Sequence, residues 1–376
     1  MERDRQLAQG YAIGVLVGLA LLSAVPPAQS QTRELTKRVV GDYGYWSRIQ
    51  TPPYSSAQIP FAKLTHINHA GVSFKANGDL VVPDGFLEPE LIDKAHAAGV
   101  KVMLLLGGPF TALEQNAGLQ AILIGNLQTF INHYDYDGVD IDWEYPSSEK
   151  DRSTFSSLMI ALRLAFPRPN YIVSADVPPW GGNGYAYPNT EPAVDYFNVM
   201  MYDCAGPWTD DAQLNSAIFP DPHNPEPYEC EPGGSVEEAA NIFLSELRIP
   251  PAKINMGTPF YGYFYENVSR LWGNCLNCAN TVLSENYGTF IKQRINQRGW
   301  QTFYDPISLV PYMLRADGTP GFITYDDSFS TFYRVWYSVW DRGMGGTFMW
   351  SLDADYDGHS QDLLDAMYSA SLKQTP

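Results

Sequence analysis

Three acidic residues at alternate positions have the spacing in this sequence that best suits chemistry. Asp140, Asp142 and Glu144 alternate with Val, Ile and Trp. A strand sends alternate side chains to opposite faces, so we expect the three carboxyls to share one side, about 6–7 Å apart. Such carboxyls cannot all ionise independently in a poorly solvated interior, and at least one pKa must rise. A proton held at neutral pH is what a general acid requires.

Chance and calcium binding are two simpler explanations of this spacing. Because 42 of the 376 residues are acidic, such a pattern arises by chance in roughly one such sequence in fifteen to twenty. Calcium loops place polar residues and Gly between their ligands, whereas the residues between these carboxyls are apolar. Three buried carboxylates without a role would also be costly, so we favour a catalytic group.

The surrounding sequence predicts an α/β fold, a (β/α)8 TIM barrel. Short β-branched or aromatic runs alternate with amphipathic helical patterns, as in successive βα units around a parallel sheet. Eight strands are predicted at 39–43, 66–72, 102–106, 138–143, 171–177, 197–202, 253–257 and 346–350. Helices are predicted at 88–98, 121–134, 152–166, 236–247 and 329–340.

The stretch between the seventh and eighth strands is too long for a βα loop. Residues 262–322 are rich in Trp, Tyr, Asn and Cys, with a helical piece near 286–298. We predict a small α+β insertion subdomain on the carboxyl-terminal rim, where the active sites of such barrels lie. The barrel would then comprise residues 31–261 and 323–376.

The N-terminus predicts an export signal. Arg3 and Arg5 precede an apolar stretch over 11–25, and small residues precede a cut before Gln31. The apolar stretch is shorter than the roughly 20 residues needed to span a bilayer. Residues 1–30 are therefore predicted to be a cleaved signal peptide, and the protein to be secreted, extracellular or periplasmic.

The cysteines of an exported chain are expected to form disulfides. The four cysteines allow three connectivities, of which we favour Cys204–Cys230 and Cys275–Cys278, each closing a loop. The C-x-x-C pair has no second such pair and no nearby His, which disfavours zinc. We predict neither a metal nor a cofactor.

Composition narrows the class of partner. The net charge is −18 and no Lys/Arg cluster is present, which argues against nucleic acid and against an anionic membrane. Aromatic residues make up 14% of the chain, more than a core of this size needs. Trp and Tyr often line binding clefts, and sugar rings are natural ligands for such surfaces. A monomer is expected.

The acidic motif resembles the signature of glycoside hydrolase family 18, the chitinases and their relatives. The likeness extends over nearly all of residues 38–355, with further motifs in the order that the family has them. These motifs lie at 65–70, 107–108, 200–203, 257–262, 325–327 and 345–353.

The resemblance implies a chitinase that hydrolyses β-1,4-linked N-acetylglucosamine in chitin or chito-oligosaccharides by substrate-assisted retaining catalysis. Glu144 would protonate the glycosidic oxygen, and the 2-acetamido oxygen of the sugar would attack the anomeric carbon. Asp142 would hydrogen-bond the acetamido N–H, with Asp140 behind it as a proton-sharing partner. Tyr202 would orient the acetamido carbonyl and Trp350 would lie under the distorted sugar. The same resemblance implies substrate contacts from Met200, Asp203, Tyr145 and Tyr261.

Four positions depart from the family pattern. Asp42 and Leu105 replace a Tyr and a Ser whose hydroxyls, in the family, help the inner aspartate to carry charge. We therefore hypothesise that Asp42 and Asp140 share a proton. Gly71 replaces a Phe and Tyr263 replaces an Arg, which bears on the sugar subsites.

Two other functions are compatible with the resemblance. An endo-β-N-acetylglucosaminidase acting on N-glycans would need the same acetamido chemistry with a different cleft. A chitin-binding lectin of the same fold would have no catalysis. Such lectins usually lack the terminal acid, whereas Glu144 is present, so the sequence favours a chitinase.

Overall fold

Eight parallel strands form the centre of the structure. The computed structural model describes residues 35–115, 118–224, 230–275 and 277–372, so the predicted signal peptide, residues 1–30, lies outside the described residues. Each strand pairs in parallel with its neighbours, and β1 pairs with both β2 and β8, which closes the barrel and confirms the predicted fold. Strands β1 to β8 are Arg38–Gly44, His66–Phe74, Lys101–Leu106, Gly138–Ile141, Ile172–Val177, Tyr196–Val199, Ile254–Pro259 and Gly346–Trp350.

Strands β4 and β6 end earlier than predicted. β4 ends at Ile141 and β6 at Val199, whereas the sequence predicted ends at 143 and 202. The polar/apolar alternation continues past the last pairing of β4, in which Ile141 lies opposite Leu106. The predicted strands were too long because alternation persists where strand pairing stops. Asp142 and Glu144 therefore lie just beyond the sheet, at its carboxyl edge.

Helices alternate with the barrel strands. The predicted helices at 236–247 and 329–340 each consist of an α-helix continued by a wider π-type turn, Ile242–Glu246 and Tyr337–Asp341. The α-helices are Pro89–Ala97, Leu119–Tyr134, Glu149–Ala165, Tyr187–Thr190, Val236–Asn241, Cys278–Thr281, Ser328–Trp336 and Asp362–Ser371. Short 3-10 turns occur at Tyr45–Ile49, Phe61–Lys63, Phe110–Gln115, Asn183–Tyr185, Pro251–Lys253, Lys292–Arg294 and Leu352–Asp355.

A capping box fixes the chain that follows the acidic motif. The Ser148 hydroxyl accepts a hydrogen bond from the Asp151 N–H (3.0 Å), and the Asp151 carboxylate accepts one from the Ser148 N–H (2.9 Å). These bonds satisfy two of the N–H groups at the start of helix Glu149–Ala165. The segment that carries Glu144 is thus held between β4 and a capped helix.

A second sheet follows β7. It is antiparallel and five-stranded, in the order Val282–Asn286, Tyr261–Tyr265, Phe322–Thr324, Pro311–Arg315 and Trp300–Tyr304. It lies in the stretch predicted as an insertion, and the helical piece expected near 286–298 consists of a π-type turn, Tyr287–Ile291, and a 3-10 turn. The division into two subdomains stays a prediction. Short strands also pair Leu80–Val81 with β2 and Asp211–Ala212 with Gly273–Asn274.

The inside of the barrel carries a layer of buried polar side chains. Asp140 on β4 contacts Asn68 on β2 and Asn198 on β6, strands that are not its neighbours, so these contacts cross the barrel interior. Register places these residues at one height, with Asp140 opposite Ser174 and Asn198 opposite both Asp176 and Asn255. The layer consists of Asp42, Asn68, Asp140, Ser174, Asp176, Asn198 and Asn255, each at most 4% exposed.

Both predicted disulfides are present, Cys204–Cys230 and Cys275–Cys278. The first joins Cys204, in the loop after β6, to Cys230, which lies 26 residues further along the chain. No helix in the described part of the chain is long and apolar enough to span a membrane.

Candidate active site

The carboxyl ends of the barrel strands open into a cavity of about 780 Å³. Every residue predicted for the site lines it except Asp140, which is completely buried. The residues that follow β4, β6, β7 and β8 thus meet as the (β/α)8 fold requires. The lining consists of Asp142, Glu144, Tyr145, Asp176, Pro179, Trp180, Met200, Tyr202, Asp203, Trp208, Tyr261, Tyr263, Ser284, Asn286, Trp350, Ser351 and Ala354.

Burial decreases along the acidic motif. Asp140 is fully buried, Asp142 partly buried and Glu144 exposed to the cavity. Burial raises the pKa of Asp140 to about 6, although the neighbouring polar side chains of Ser174, Asp176 and Asn198 oppose the rise. Burial, the charges of Glu144 and Asp140, and a hydrogen bond to Glu144 raise the pKa of Asp142 well above its usual range. Asp142 therefore holds a proton more tightly than an ordinary carboxyl does, directly beside the exposed Glu144.

Asn68 lies between the two carboxyls that the sequence hypothesis joined. Its Nδ2 donates to Asp42 Oδ1 (2.9 Å) and to Asp140 Oδ2 (3.2 Å). Asp42 Oδ2 has no hydrogen-bond partner, so no hydrogen bond joins the two carboxyls directly. The hypothesis that Asp42 and Asp140 share one proton as a coupled pair stays a prediction. The Asn68 amide lies between the carboxyls of Asp42 and Asp140 because β2 pairs with β1 and Asn68 lies opposite Asp42 in that pairing. Burial and then the Asp140 charge raise the pKa of Asp42.

Asp42→Asn is expected to stabilise the protein at neutral pH. Because the pKa of Asp42 is raised in the folded state, the folded chain binds this proton more tightly than the unfolded chain. The stabilisation is therefore present below the pKa that Asp42 has in the unfolded chain, and it is lost as pH rises from that pKa through the higher pKa of the folded chain. The loss is about 1.4 kcal/mol for each pKa unit by which the two values differ. Urea unfolding should show a higher free energy for the variant at about pH 8 and no difference near pH 3.5.

Asp137→Asn is the matched control for this prediction. Burial would raise the pKa of Asp137, but hydrogen bonds from Lys101, the Val102 N–H and His96 outweigh it and lower the pKa. The ionised Asp137 therefore stabilises the folded state, so Asp137→Asn should have a lower free energy of unfolding than the wild type at about pH 8. A loss of stability in Asp42→Asn at that pH would contradict the account of Asp42.

Two tyrosines hold Asp203. The hydroxyls of Tyr261 and Tyr263 both donate to Asp203 Oδ1, the latter at 2.7 Å. The Asp203 N–H donates to Asn215 Oδ1 (2.8 Å), and its φ of 60° is one that Asp tolerates. Burial raises the pKa of Asp203, and the tyrosine hydrogen bonds oppose this. Tyr263, a departure from the family pattern, thus helps to fix the orientation of a cavity carboxyl.

Aromatic rings form much of the remaining lining. The rings of Tyr145 and Trp180 lie 5.2 Å apart in the lining, and the ring of Trp350 packs 6.2 Å from that of Trp46, which is not part of the lining. Tyr145 is 42% exposed and Trp208, which packs against Tyr263, is 49% exposed. Tyr202 and Met200 are buried but also reach the cavity. Exposed rings with polar edges suit a ligand that has both apolar and hydroxyl-bearing faces.

Sequence reasoning missed several residues of the lining. Asp176 lies in a predicted strand, in the same phase as Ser174, so the alternation that identified Asp142 could have identified it too. Trp180 and Trp208 lie on loops, and nothing in their local sequence indicates the cavity. Ser284 and Asn286 come from the strand Val282–Asn286 of the second sheet.

The arrangement can donate a proton to a neutral ligand. Glu144 is exposed in the cavity beside Asp142, whereas Asp203 already accepts hydrogen bonds from the hydroxyls of two tyrosines. No Lys, Arg or His occurs among the lining residues of the described chain, so nothing in this lining would neutralise an anionic ligand. An exposed carboxyl hydrogen-bonded to a partly buried one is suited to general acid and base catalysis.

Comparisons with known proteins agree with this chemistry. The family described as "Glycosyl hydrolases family 18" matches residues 38–355. Chitinase A1 of Niallia circulans is 24% identical over 93% of this chain and 62% of its own length, so the chain spans less than two thirds of that relative. An endochitinase of Manduca sexta is 25% identical, with 90% of this chain and 67% of the relative covered. The crystal structure of the Ostrinia furnacalis Group IV chitinase has a TM-score of 0.79 at 22% identity, and covers 90% of this chain and 100% of its own.

Proposed function

Because this chain belongs to glycosyl hydrolases family 18, we propose that it is a chitinase that hydrolyses β-1,4 linkages between N-acetylglucosamine units. The observation that carries the proposal is the pair formed by the partly buried Asp142 and the exposed Glu144 in an aromatic cavity at the carboxyl edge of the barrel. The absence of cationic groups among the described lining residues fits a neutral sugar.

In the proposed reaction, the Glu144 carboxyl gives its proton to the glycosidic oxygen as the bond from that oxygen to the anomeric carbon breaks. The carbonyl oxygen of the sugar's own 2-acetamido group forms the new bond to that carbon and closes an oxazolinium ring. A water molecule then adds to the anomeric carbon as the bond from that carbon to the acetamido oxygen breaks, and Glu144 takes a proton from the water, so the configuration is retained. Asp142 would hydrogen-bond the acetamido N–H and offset the positive charge of the ring.

The remaining lining residues would position the sugar. Trp350 is partly exposed in the cavity and would stack against the ring at the reacting position. Tyr202 would donate its hydroxyl to the acetamido carbonyl. Asp203, oriented by its two tyrosines, would shape the same pocket with Met200, Tyr145 and Tyr261.

Export of a monomer is part of the proposal. The charged and apolar pattern over residues 1–30 supports cleavage and secretion, and two disulfides suit an oxidising compartment. The substrate would then be extracellular chitin or its oligosaccharides.

Product analysis tests the proposed function. Mass spectrometry should show chitohexaose converted to shorter oligomers, while a high-mannose glycopeptide stays intact. Cleavage of the glycopeptide in place of chitohexaose would indicate the endo-β-N-acetylglucosaminidase instead. Binding of chitohexaose without any turnover would indicate a lectin.

A further inference from the structure

We propose that Asp176 is a positioning residue for this reaction, a protonated carboxyl that donates a hydrogen bond to Asp140 and keeps Asp140 ionised behind Asp142. This inference rests on the proposed function for its catalytic meaning. Asp176 lies on β5, lines the cavity and is only 4% exposed. It is the cavity residue that connects the lining to the polar layer inside the barrel.

A chain of amides determines which groups are presented to Asp176. The Arg38 guanidinium can only donate, and its Nε donates to Asn255 Oδ1 (2.9 Å). Asn255 must therefore turn its Nδ2 to Asn198 Oδ1 (2.9 Å), which leaves the Asn198 Nδ2 facing the carboxyls. That nitrogen lies 3.0 Å from Asp176 Oδ1 and 3.5 Å from Asp140 Oδ1. The orientation of Asn198 is thus set from outside the acidic cluster.

The charges around Asp176 require protons in this layer. Asp140, Asp42 and Asp142 all raise its pKa after burial itself, and Tyr202 lies near it with a neutral hydroxyl. The Arg38 guanidinium does not contact these carboxyls directly, because the amides of Asn255 and Asn198 lie between them in the series of hydrogen bonds. Neighbouring buried carboxyls cannot all be ionised, so some must stay protonated.

The supply of donors decides which carboxyl carries the charge. Asp140 accepts hydrogen bonds from Asn68 (3.2 Å) and Asn198 (3.5 Å) on opposite sides, and a proton on Asp176 would give it a third donor. Asp176 accepts one from Asn198. A carboxylate is stabilised by each donor it accepts from, so the charge belongs on Asp140 and the proton on Asp176.

With the negative charge on Asp140 and a proton on Asp176, the proton needed for catalysis lies on Asp142, next to Glu144. The charge of Asp140 raises the pKa of Asp142, so the mobile proton stays with Asp142 and its hydrogen bond to Glu144. Without the donor from Asp176, Asp140 would compete for that proton inside the barrel. Asp176 thereby acts on the acid through Asp140 and does not touch the reacting atoms.

Two substitutions of Asp176 separate a proton donor from a charge. In Asp176→Asn the amide still donates, so kcat on chitohexaose should stay within about threefold of the wild type, with the same pH profile. Asp176→Ala removes the donor and should lower kcat about tenfold or more with little change in KM. The acidic limb of the kcat–pH profile of Asp176→Ala should move to higher pH, because the pKa of Asp140 rises when a hydrogen-bond donor to its ionised form is lost.

Three outcomes would overturn the inference. If Asp176 is ionised, both variants remove a negative charge and move the acidic limb to lower pH. If Asp176 only packs, Asp176→Ala loses stability without moving the limb, as the control Asp137→Asn is expected to do. If Asp176→Ala does not fold, infrared spectroscopy at about pH 7 should still show a protonated-carboxyl C=O band in the wild type that Asp176→Asn lacks, and no such difference would contradict the proposal. Failure of the wild type to cleave chitohexaose would instead refute the proposed function, while the infrared band still reports on Asp176.

Discussion

Glu144→Gln should lower kcat on chitohexaose by about 10²–10⁴-fold, the usual contribution of a general acid. The amide has nearly the shape of the carboxyl but has no acidic proton to transfer to the glycosidic oxygen. Glu144 is exposed in the cavity, so the substitution leaves no buried group unpaired and the fold should be retained. Steady-state kinetics gives kcat, and calorimetry should show that the variant still binds the oligosaccharide.

Glu149→Gln is the matched control, because Glu149 is also exposed and lies in the first turn of helix Glu149–Ala165, outside the cavity. Its kcat should equal that of the wild type. If Glu144→Gln kept most of the wild-type kcat, Glu144 would not be the acid. Asp203, another carboxyl of the lining, would then be the residue to substitute next.

Asp142→Ala is expected to lower kcat by about 10²–10³-fold, as removal of one preorganised group at a developing charge commonly does. The variant loses the carboxyl that hydrogen-bonds Glu144 and that would offset the charge of the oxazolinium ring. Because this charge develops only during the reaction, KM should change much less than kcat. Measurements over a range of chitohexaose concentrations separate the two constants.

Asp142→Asn tells charge from hydrogen bonding at the same position. The amide can still donate to Glu144 but cannot carry a negative charge, so an activity close to that of the alanine variant would identify charge as the main contribution. The thermal unfolding temperature of both variants should stay near that of the wild type or rise, because a partly buried carboxyl with a raised pKa is removed. A large increase in KM with an unchanged kcat would contradict this role of Asp142.

Local sequence predicted the parts of the site that lie on one strand or just after it. The alternation at 138–144 identified Asp142 and Glu144 correctly as neighbours, although they lie beyond the end of β4. The same alternation was present at Ser174 and Asp176, but this strand carries only one carboxyl, so the alternation alone did not indicate a site. Trp208 was not predicted as a cavity residue, because its position there depends on the packing of its loop against Tyr263.

The sequence by itself determined the barrel, its eight strands and the acidic motif at the carboxyl edge, because hydrophobic periodicity and strand order are local properties. Only the tertiary structure decided which polar groups meet inside the barrel. Asn68 lies between Asp42 and Asp140, and Asn198 joins Asp140 to Asp176. These partners come from different strands, and closure of the barrel and strand register bring them together. The hydrogen-bond partners of Asp140 therefore depend on contacts that no single stretch of the chain contains.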